Sequence, residues 1–304
     1  MDLLSRFWAS DFMWSFRRSP VAIVSFTVTF ILIACAVFAP LIAPYDPHDP
    51  ATLNLMNGFS KPLEPNAFTG DSFWLGADDQ GRDVFSTILY GMRISLFVGF
   101  MAVAFALVLG VTLGLLAGYV GGWVETIIMR TADVQLTFPS ILIAMLIFGI
   151  AKGFTPVELR DQMAIWVLII AIGLSDWVQF ARVVRGATLV EKNKEYVAAA
   201  RLIGRRPGAI MLRHILPNVL SPVLVIATIS LALAIIAEAT LSFLGVGAPP
   251  TEPSLGTLIR IGQGFLFSGE WWILLFPAVT LLALALSVNL LGDWLRDVLN
   301  PRLR

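Results

Sequence analysis

Six uncharged apolar runs punctuate the chain, at residues 21–39, 94–120, 134–151, 163–175, 215–237 and 271–292. The fourth reaches 180 if Asp176 is admitted. At 1.5 Å per residue the first run rises about 29 Å as a helix, close to the ~30 Å thickness of a hydrocarbon layer. The third and fourth are the least regular: Pro139 would kink the third or mark its start, and Asp176 interrupts the fourth. The pattern predicts an all-α polytopic membrane protein with six transmembrane helices, five being the alternative where those two runs are weak. Within the second run Ala102, Ala106, Gly110, Gly114 and Gly118 recur every four positions. One small-residue stripe of this kind lets another helix approach closely, either as ordinary bundle packing or as a helix that lines or moves against a partner. Both readings place the helix inside the bundle.

Composition agrees with the pattern. Hydrophobic types make up 57% of the 304 residues and charged types 14%, with a mean hydropathy of +0.81, which excludes a water-soluble enzyme. Lys plus Arg balances Asp plus Glu at 21 each, so no net charge points to nucleic acid. Their distribution is lopsided. If residues 1–20 are cytoplasmic, that side holds Arg6, Arg17, Arg18, Arg130, the eight basic residues between 182 and 213, Arg296, Arg302 and Arg304. The other side holds Lys61, Arg82, Arg93, Lys152, Arg160 and Arg260. Fifteen against six in short loops is a positive-inside signature with both termini cytoplasmic, which requires an even number of crossings. Run 21–39 is too long for a signal peptide and is read as a retained anchor. Cys35, the one cysteine, allows no intrachain disulfide.

Several chemistries are missing. No lysine is followed by Ser or Thr in a phosphate-binding loop, since Lys61, Lys152, Lys192 and Lys194 precede Pro, Gly, Asn and Glu. His48 and His214 fall on opposite faces, so no metal site is expected. No Ser/His/Asp cluster or carboxylate pair suggests a membrane enzyme, and no repeated filter loop suggests a channel. The centres of the runs are empty of charge; Asp176 and Glu238 sit toward run ends, Asp176 read as near the cytoplasmic side and Glu238 near the outer side, and each faces a watery path or simply marks a helix end at the interface. Uphill transport would need energy from a partner.

The segment between the fourth and fifth runs reads as a short helix, a stop and a second helix. Asn193 is placed to cap the first; Tyr196, Ala199, Ala200 and Ile203 recur on one side; Gly204 can end it and Pro207 can open the next. An alanine-faced helix fits a groove on another protein, or lies solvated in the cytosol. Ala199-Ala200, Gly204 and Leu216-Pro217 resemble the cytoplasmic EAA loop of binding-protein-dependent ABC importer permeases, with Ala198 in place of the usual Glu and His214 in place of an Ile. Residues 75–96, with Asp78, Asp79, Gly81, Arg82 and Asp83, resemble the stretch before the second crossing in the C-type permeases of dipeptide, oligopeptide and nickel importers. Residues 239–256, with Gly245, Gly247, Pro249, Pro250 and Pro253, and residues 289–302 resemble two further stretches of that family.

The resemblance implies a MetI-like ABC transmembrane type-1 core at 94–292, preceded by a cytoplasmic N-terminus (1–20), an extra helix (21–43) and an extracytoplasmic segment (44–93), and followed by a cytoplasmic tail (293–304). It implies a coupling loop at 181–214 in which Glu195, Tyr196, Ala199, Ala200, Arg201, Ile203, Gly204, Leu216 and Pro217 meet an ATPase. The implied partners are a homologous second permease, two ATP-binding-cassette ATPases that bind ATP and Mg, an extracytoplasmic substrate-binding protein and the bilayer, with no nucleic acid and no cofactor or metal in this chain. The implied location is the bacterial inner (plasma) membrane, and the implied cargo is di- or oligopeptide. The residues themselves leave two other classes open, a self-contained secondary transporter or channel and a scaffold for membrane enzymes. Asp78, Asp79, Arg82 and Asp83, with Pro249 and Pro250, are candidate contacts for the binding protein, although capping of a helix at 81–91 is the more ordinary use of the acidic cluster. Arg130 and Asp133 are spaced to pair on one helix face.

Overall fold

A computed structural model describes residues 11–47, 49 and 53–299. Sequence readings on Arg6, His48, Pro301, Arg302 and Arg304 lie outside the described residues. After a short helix at Asp11–Arg18 come α1 (Pro20–Val37), α2 (Val84–Val120), α3 (Gly122–Leu136), α4 (Ser140–Phe154), α5 (Arg160–Glu191), α6 (Glu195–Leu202), α7 (Leu216–Phe243), α8 (Leu255–Gln263) and α9 (Trp272–Leu299). Five of these, α1, α2, α5, α7 and α9, are long and apolar enough to cross a membrane, and α3 with α4 forms a pair bent by 100°.

The bent pair counts as the sixth crossing because of how α2 and α5 meet. A Cβ on Gly110 would lie 2.5 Å from the Phe180 Cβ, one on Gly114 2.6 Å from the Ala181 carbonyl, and one on Gly118 2.7 Å from the Thr188 Cβ. Gly173 of α5 in turn faces the Ala102 carbonyl and the Phe105 ring. Residue numbers rise together on both helices, so α2 and α5 run parallel. The chain must therefore return across the bundle between them, and only α3–α4 lies there. The small-residue stripe is thus a seam against α5: three glycines remove the side chains that would hold the backbones apart.

The break falls at 137–139, with Pro139 at the N-cap of α4; the proline starts a helix rather than kinking one, since its ring cannot follow a preceding helical turn. Gln135 closes the break by donating to the Leu174 and Ser175 carbonyls at 2.8 and 2.9 Å and accepting from Trp177 Nε1 at 2.9 Å. Asp133 pairs with Arg182 at 2.6 Å, not with Arg130, and Glu125 pairs with Arg185: each carboxylate reaches across to α5.

Two sequence boundaries shift. α2 begins at Val84, well before the apolar run at 94, because Asp83 caps it and the first turns are buried. α5 continues as helix to Glu191, so residues 181–191 belong to the helix and not to the loop beyond it. Asp176 consequently stands midway along α5, not near its end.

Candidate partner-docking site

The parallel arrangement gathers the ends of α2 and α5 with the start of α7 at one end of the bundle, and α6 lies across them. This is the basic end. α6 starts after a tight turn at 192–194, and Lys194, not Asn193, stands at its N-cap. Asn193 donates instead to the Leu189 carbonyl at 3.0 Å, because the turn follows α5 without a break and its side chain folds back on the last turn. Gly204 ends α6 with φ of +78°. Its N–H donates to the Arg201 carbonyl at 3.0 Å and that of Arg205 to the Ala200 carbonyl at 3.1 Å, closing the free carbonyls by a left-handed stop. Pro207 opens the next short helix, Pro207–Ile210.

Which side of α6 is buried differs from the sequence expectation. Val197 and Ala200 are buried and Tyr196 half-buried, whereas Ala199 and Ile203 point outward with Glu195, Ala198 and Leu202. The reason is register: Val197 and Ala200 enter the apolar cluster of Phe180, Val184, Ile210, Ile215 and Val219, and this turns the i, i+3, i+4, i+7 row through Glu195, Ala198, Ala199 and Leu202 into the open. Leu202 is 89% exposed and Ile203 78%. Arg201, Arg205 and Arg206 are exposed beside them. An uncovered apolar tip with an arginine rim has the composition of a protein contact.

The back of α6 is tied to three helices. The Tyr196 hydroxyl donates to Glu191 of α5 at 2.5 Å and accepts from Asn218 of α7 at 3.2 Å. Burial, then the Glu191 contact, push the Tyr196 phenol above its ordinary range, so it stays a neutral donor. Lys194 pairs with Glu191 at 2.6 Å. Lys192 reaches the Gly118 carbonyl at the end of α2 at 2.7 Å, and the Arg201 guanidinium lies 5.5 Å from the Tyr119 ring centroid. Leu216 and Pro217 form the first turn of α7, half-buried and exposed respectively. A force on the tip therefore reaches α2, α5 and α7 together. Sequence reasoning missed Leu202, Glu191 and Asn218; a pair of apolar residues running up to a glycine stop in a charged loop was the available signal for Leu202.

The opposite, capped end uses its charged residues differently. Asp78 and Arg82 pair at 2.6 Å with their side chains about 5% exposed, and Asp78 also accepts from the Gln80 and Arg82 amides. Asp83 accepts from Ser86 N and Oγ at 2.9 and 2.6 Å and caps α2. These three face inward and offer no surface to a binding protein, which corrects the contact reading in favour of capping: a chain reversal just before a buried helix needs its amides satisfied. Asp79 is half-buried, and burial followed by its neighbour Asp78 raises its carboxyl above the usual range; burial also raises Asp83. Pro249 is buried and Pro250 exposed. Beneath their loop Glu238 is fully buried, accepting from Ser242 Oγ at 2.7 Å, while Ser242 Oγ accepts from the Ala248 amide at 3.1 Å. It is thus no interfacial helix end. Gly256 lets α8 close over it, since a Cβ there would lie 2.3 Å from the Ala239 carbonyl.

Comparison with known proteins agrees with this architecture. Residues 110–304 match the family described as binding-protein-dependent transport system inner membrane component, and residues 6–62 match the N-terminal TM domain of oligopeptide transport permease C. The dipeptide transport system permease protein DppC of Haemophilus influenzae is 36% identical over 296 residues, covering 97% of this chain and 95% of that protein. The oligopeptide transport system permease protein OppC of Bacillus subtilis is 36% identical over 295 residues, covering 97% and 90%. The glutathione transport system permease protein GsiD of Pectobacterium atrosepticum is also 36% identical, covering 97% and 91%. Among solved structures, a chain of the inward-facing MetNI methionine ABC transporter superposes with a TM-score of 0.53 at 19% identity, over 70% of this chain and 96% of that one, a likeness of fold. With its parallel helix pair, its broken crossing and its cross-lying helix at the basic end, the chain belongs to the binding-protein-dependent transport system inner membrane components, the permease subunits of ABC importers.

Proposed function

We propose that this chain is the C-type permease of a peptide importer, forming half of a pathway completed by a homologous second permease. The observation that carries the coupling role is the exposed Leu202–Ile203 tip on a helix tied at its back to α2, α5 and α7. In this reading the basic end is cytoplasmic, as the fifteen-to-six distribution of Lys and Arg favours, and both termini lie there. An ATPase subunit covers Ala198, Ala199, Leu202 and Ile203, with Arg205 and Arg206 at the rim. ATP and Mg bind in the two ATPases, and this chain carries out no hydrolysis. Closure of the ATPases pushes α6, and the network through Glu191, Asn218, Lys192 and Tyr119 passes the push to three crossings as a rigid-body movement. The residues of the coupling loop then divide the work. Tyr196, Ala200 and Arg201 hold the helix to the bundle, Glu195, Ala199 and Ile203 face the ATPase, and Gly204, Leu216 and Pro217 set the turn into α7.

At the outer face the loop carrying Pro249 and Pro250 receives an extracytoplasmic binding protein, and peptide cargo follows from the names of the relatives. The bilayer is that of the bacterial inner membrane. The test is reconstitution of the chain with its second permease and ATPases in proteoliposomes, with the binding protein and a labelled dipeptide supplied on the outer side. ATP-dependent accumulation of the peptide supports the reading. Transport by this chain alone, without ATP, contradicts it.

A further inference from the structure

The face read as outer is poor in cations, holding Lys61, Arg82, Arg93, Lys152, Arg160 and Arg260. Arg82 is already committed to Asp78. Of the remaining five, Lys152, Arg160 and Arg260 line a single cavity of about 250 Å³, together with Asp161. Three separate elements bring them there: Lys152 from the last turn of α4, Arg160 and Asp161 from the first turn of α5, and Arg260 from the last turn of α8. None of the four takes part in an ion pair found among the described residues; the Arg160 Nε–H donates to the neutral Thr155 carbonyl at 3.2 Å. Like charges gathered in a concave site repel one another and attract an anion.

One further wall is the loop 245–250, and it is fixed before any ligand arrives. Ser242 Oγ joins Glu238 to the Ala248 amide, and Thr257 Oγ1 donates to the Ala248 carbonyl at 3.1 Å. Gly247 sits against Ser242 so closely that a Cβ would lie 2.2 Å from its hydroxyl. A preformed pocket loses little affinity to ordering its walls. Its chemistry selects among anions. Planar guanidinium forks match a carboxylate. The Asp161 carboxylate in the same lining opposes a multiply charged phosphate but complements the ammonium of a short zwitterion.

We infer that the cavity lined by Lys152, Arg160, Asp161 and Arg260 receives the C-terminal carboxylate of a peptide at the outer mouth of the pathway. The inference rests on the peptide-importer reading. The probes are trialanine and trialanine C-terminal amide, taken up by the complete assembly with its binding protein in vesicles of phosphatidylcholine and phosphatidylethanolamine. The Arg160→Gln/Arg260→Gln double variant is compared with the unsubstituted assembly, with Arg160→Lys/Arg260→Lys, and with Lys61→Gln, whose cation lies outside the cavity. Recovery of each variant as an intact assembly on size exclusion shows that it folds.

The expected result is a fall of at least about tenfold in the preference for the acid over the amide in the Gln variant, which removes two guanidinium contacts. The Lys variant, which keeps the charge and loses the fork, keeps part of the preference, and Lys61→Gln keeps all of it. Because each variant is scored by a ratio, any discrimination by the binding protein itself cancels. Equal losses for both peptides would overturn the inference and assign the cations to docking of the binding protein. A change seen only after phosphatidylglycerol is added would overturn it in favour of lipid phosphate, and an unchanged ratio would leave the cavity with no carboxylate to bind. If the unsubstituted assembly imports neither peptide with ATP, the peptide-importer reading itself fails, which is a separate outcome.

Discussion

At the capped end Asp78, Arg82, Asp83 and Glu238 are buried, while at the basic end Leu202 and Ile203 stand almost wholly in the open. Residue types alone offer the acidic cluster as a possible contact surface and place the alanine row of α6, not its leucine, against a partner. The difference teaches how each end is completed. The capped end turns its charged groups inward onto its own amides and hydroxyls, leaving only single atoms such as Arg82 Nη2 and Glu238 Oε2 without a partner among the described residues, so its loop is held by the chain itself. The basic end satisfies only the back of α6 and leaves apolar tips that gain nothing from water. One end is built to hold shape, the other to be covered.

The strongest way to break the contrast is at the buried ion pair. Arg82→Ala leaves Asp78 charged and unpaired beneath the cap, and should cost on the order of 3–5 kcal/mol; thermal unfolding of the detergent-solubilised assembly should show a much lower midpoint. A variant as stable as the parent would mean that the cap is held by its backbone turns alone. Next comes the seam between α2 and α5. Gly114→Val inserts atoms where a Cβ already meets Val184 Cβ at 2.8 Å, and the overpacking should cost about 1–3 kcal/mol; Gly186→Ala, within α5 with open space around it, should instead stabilise by up to about 1 kcal/mol in the same assay.

The smallest effect belongs to Asp79. Its carboxyl is raised by burial and by Asp78, so the folded state holds its proton more tightly than the unfolded chain does. That contribution is full below the ordinary carboxylate pKa and is lost as pH rises through the raised value. Asp79→Asn should therefore stabilise by a few tenths of a kcal/mol at pH 7 and by nothing near pH 3.5. A gain that grows on acidification would contradict the assigned direction.

Much of the fold is legible in the apolar runs, because a bilayer demands long uncharged helices and loop cations orient them. The break at Pro139 was visible as an irregularity, but its geometry depends on Gln135 reaching α5, a contact distant in sequence. Helix ends beyond the hydrocarbon, such as 84–93 and 181–191, carry charges and so escape a search for apolar runs. At the docking helix the element, its glycine stop and the following proline were legible from local turn chemistry. Its outward face was not, since a helix of eight residues has too few positions to fix a face, and only packing of Val197 and Ala200 into the bundle sets the rotation. The cations of the outer cavity lie on three elements that sequence alone does not bring together.

The exposed tip of α6 carries the coupling claim, and the most direct measurement is purification of the Leu202→Asp/Ile203→Asp variant with its second permease and ATPases. Both side chains stand in the open, so the variant should unfold at the parent's temperature and keep the second permease. We expect the ATPase subunits to be lost from the complex, and peptide uptake with them. ATPases retained at the parental stoichiometry, with uptake unchanged, would contradict the assignment of α6 as the docking helix.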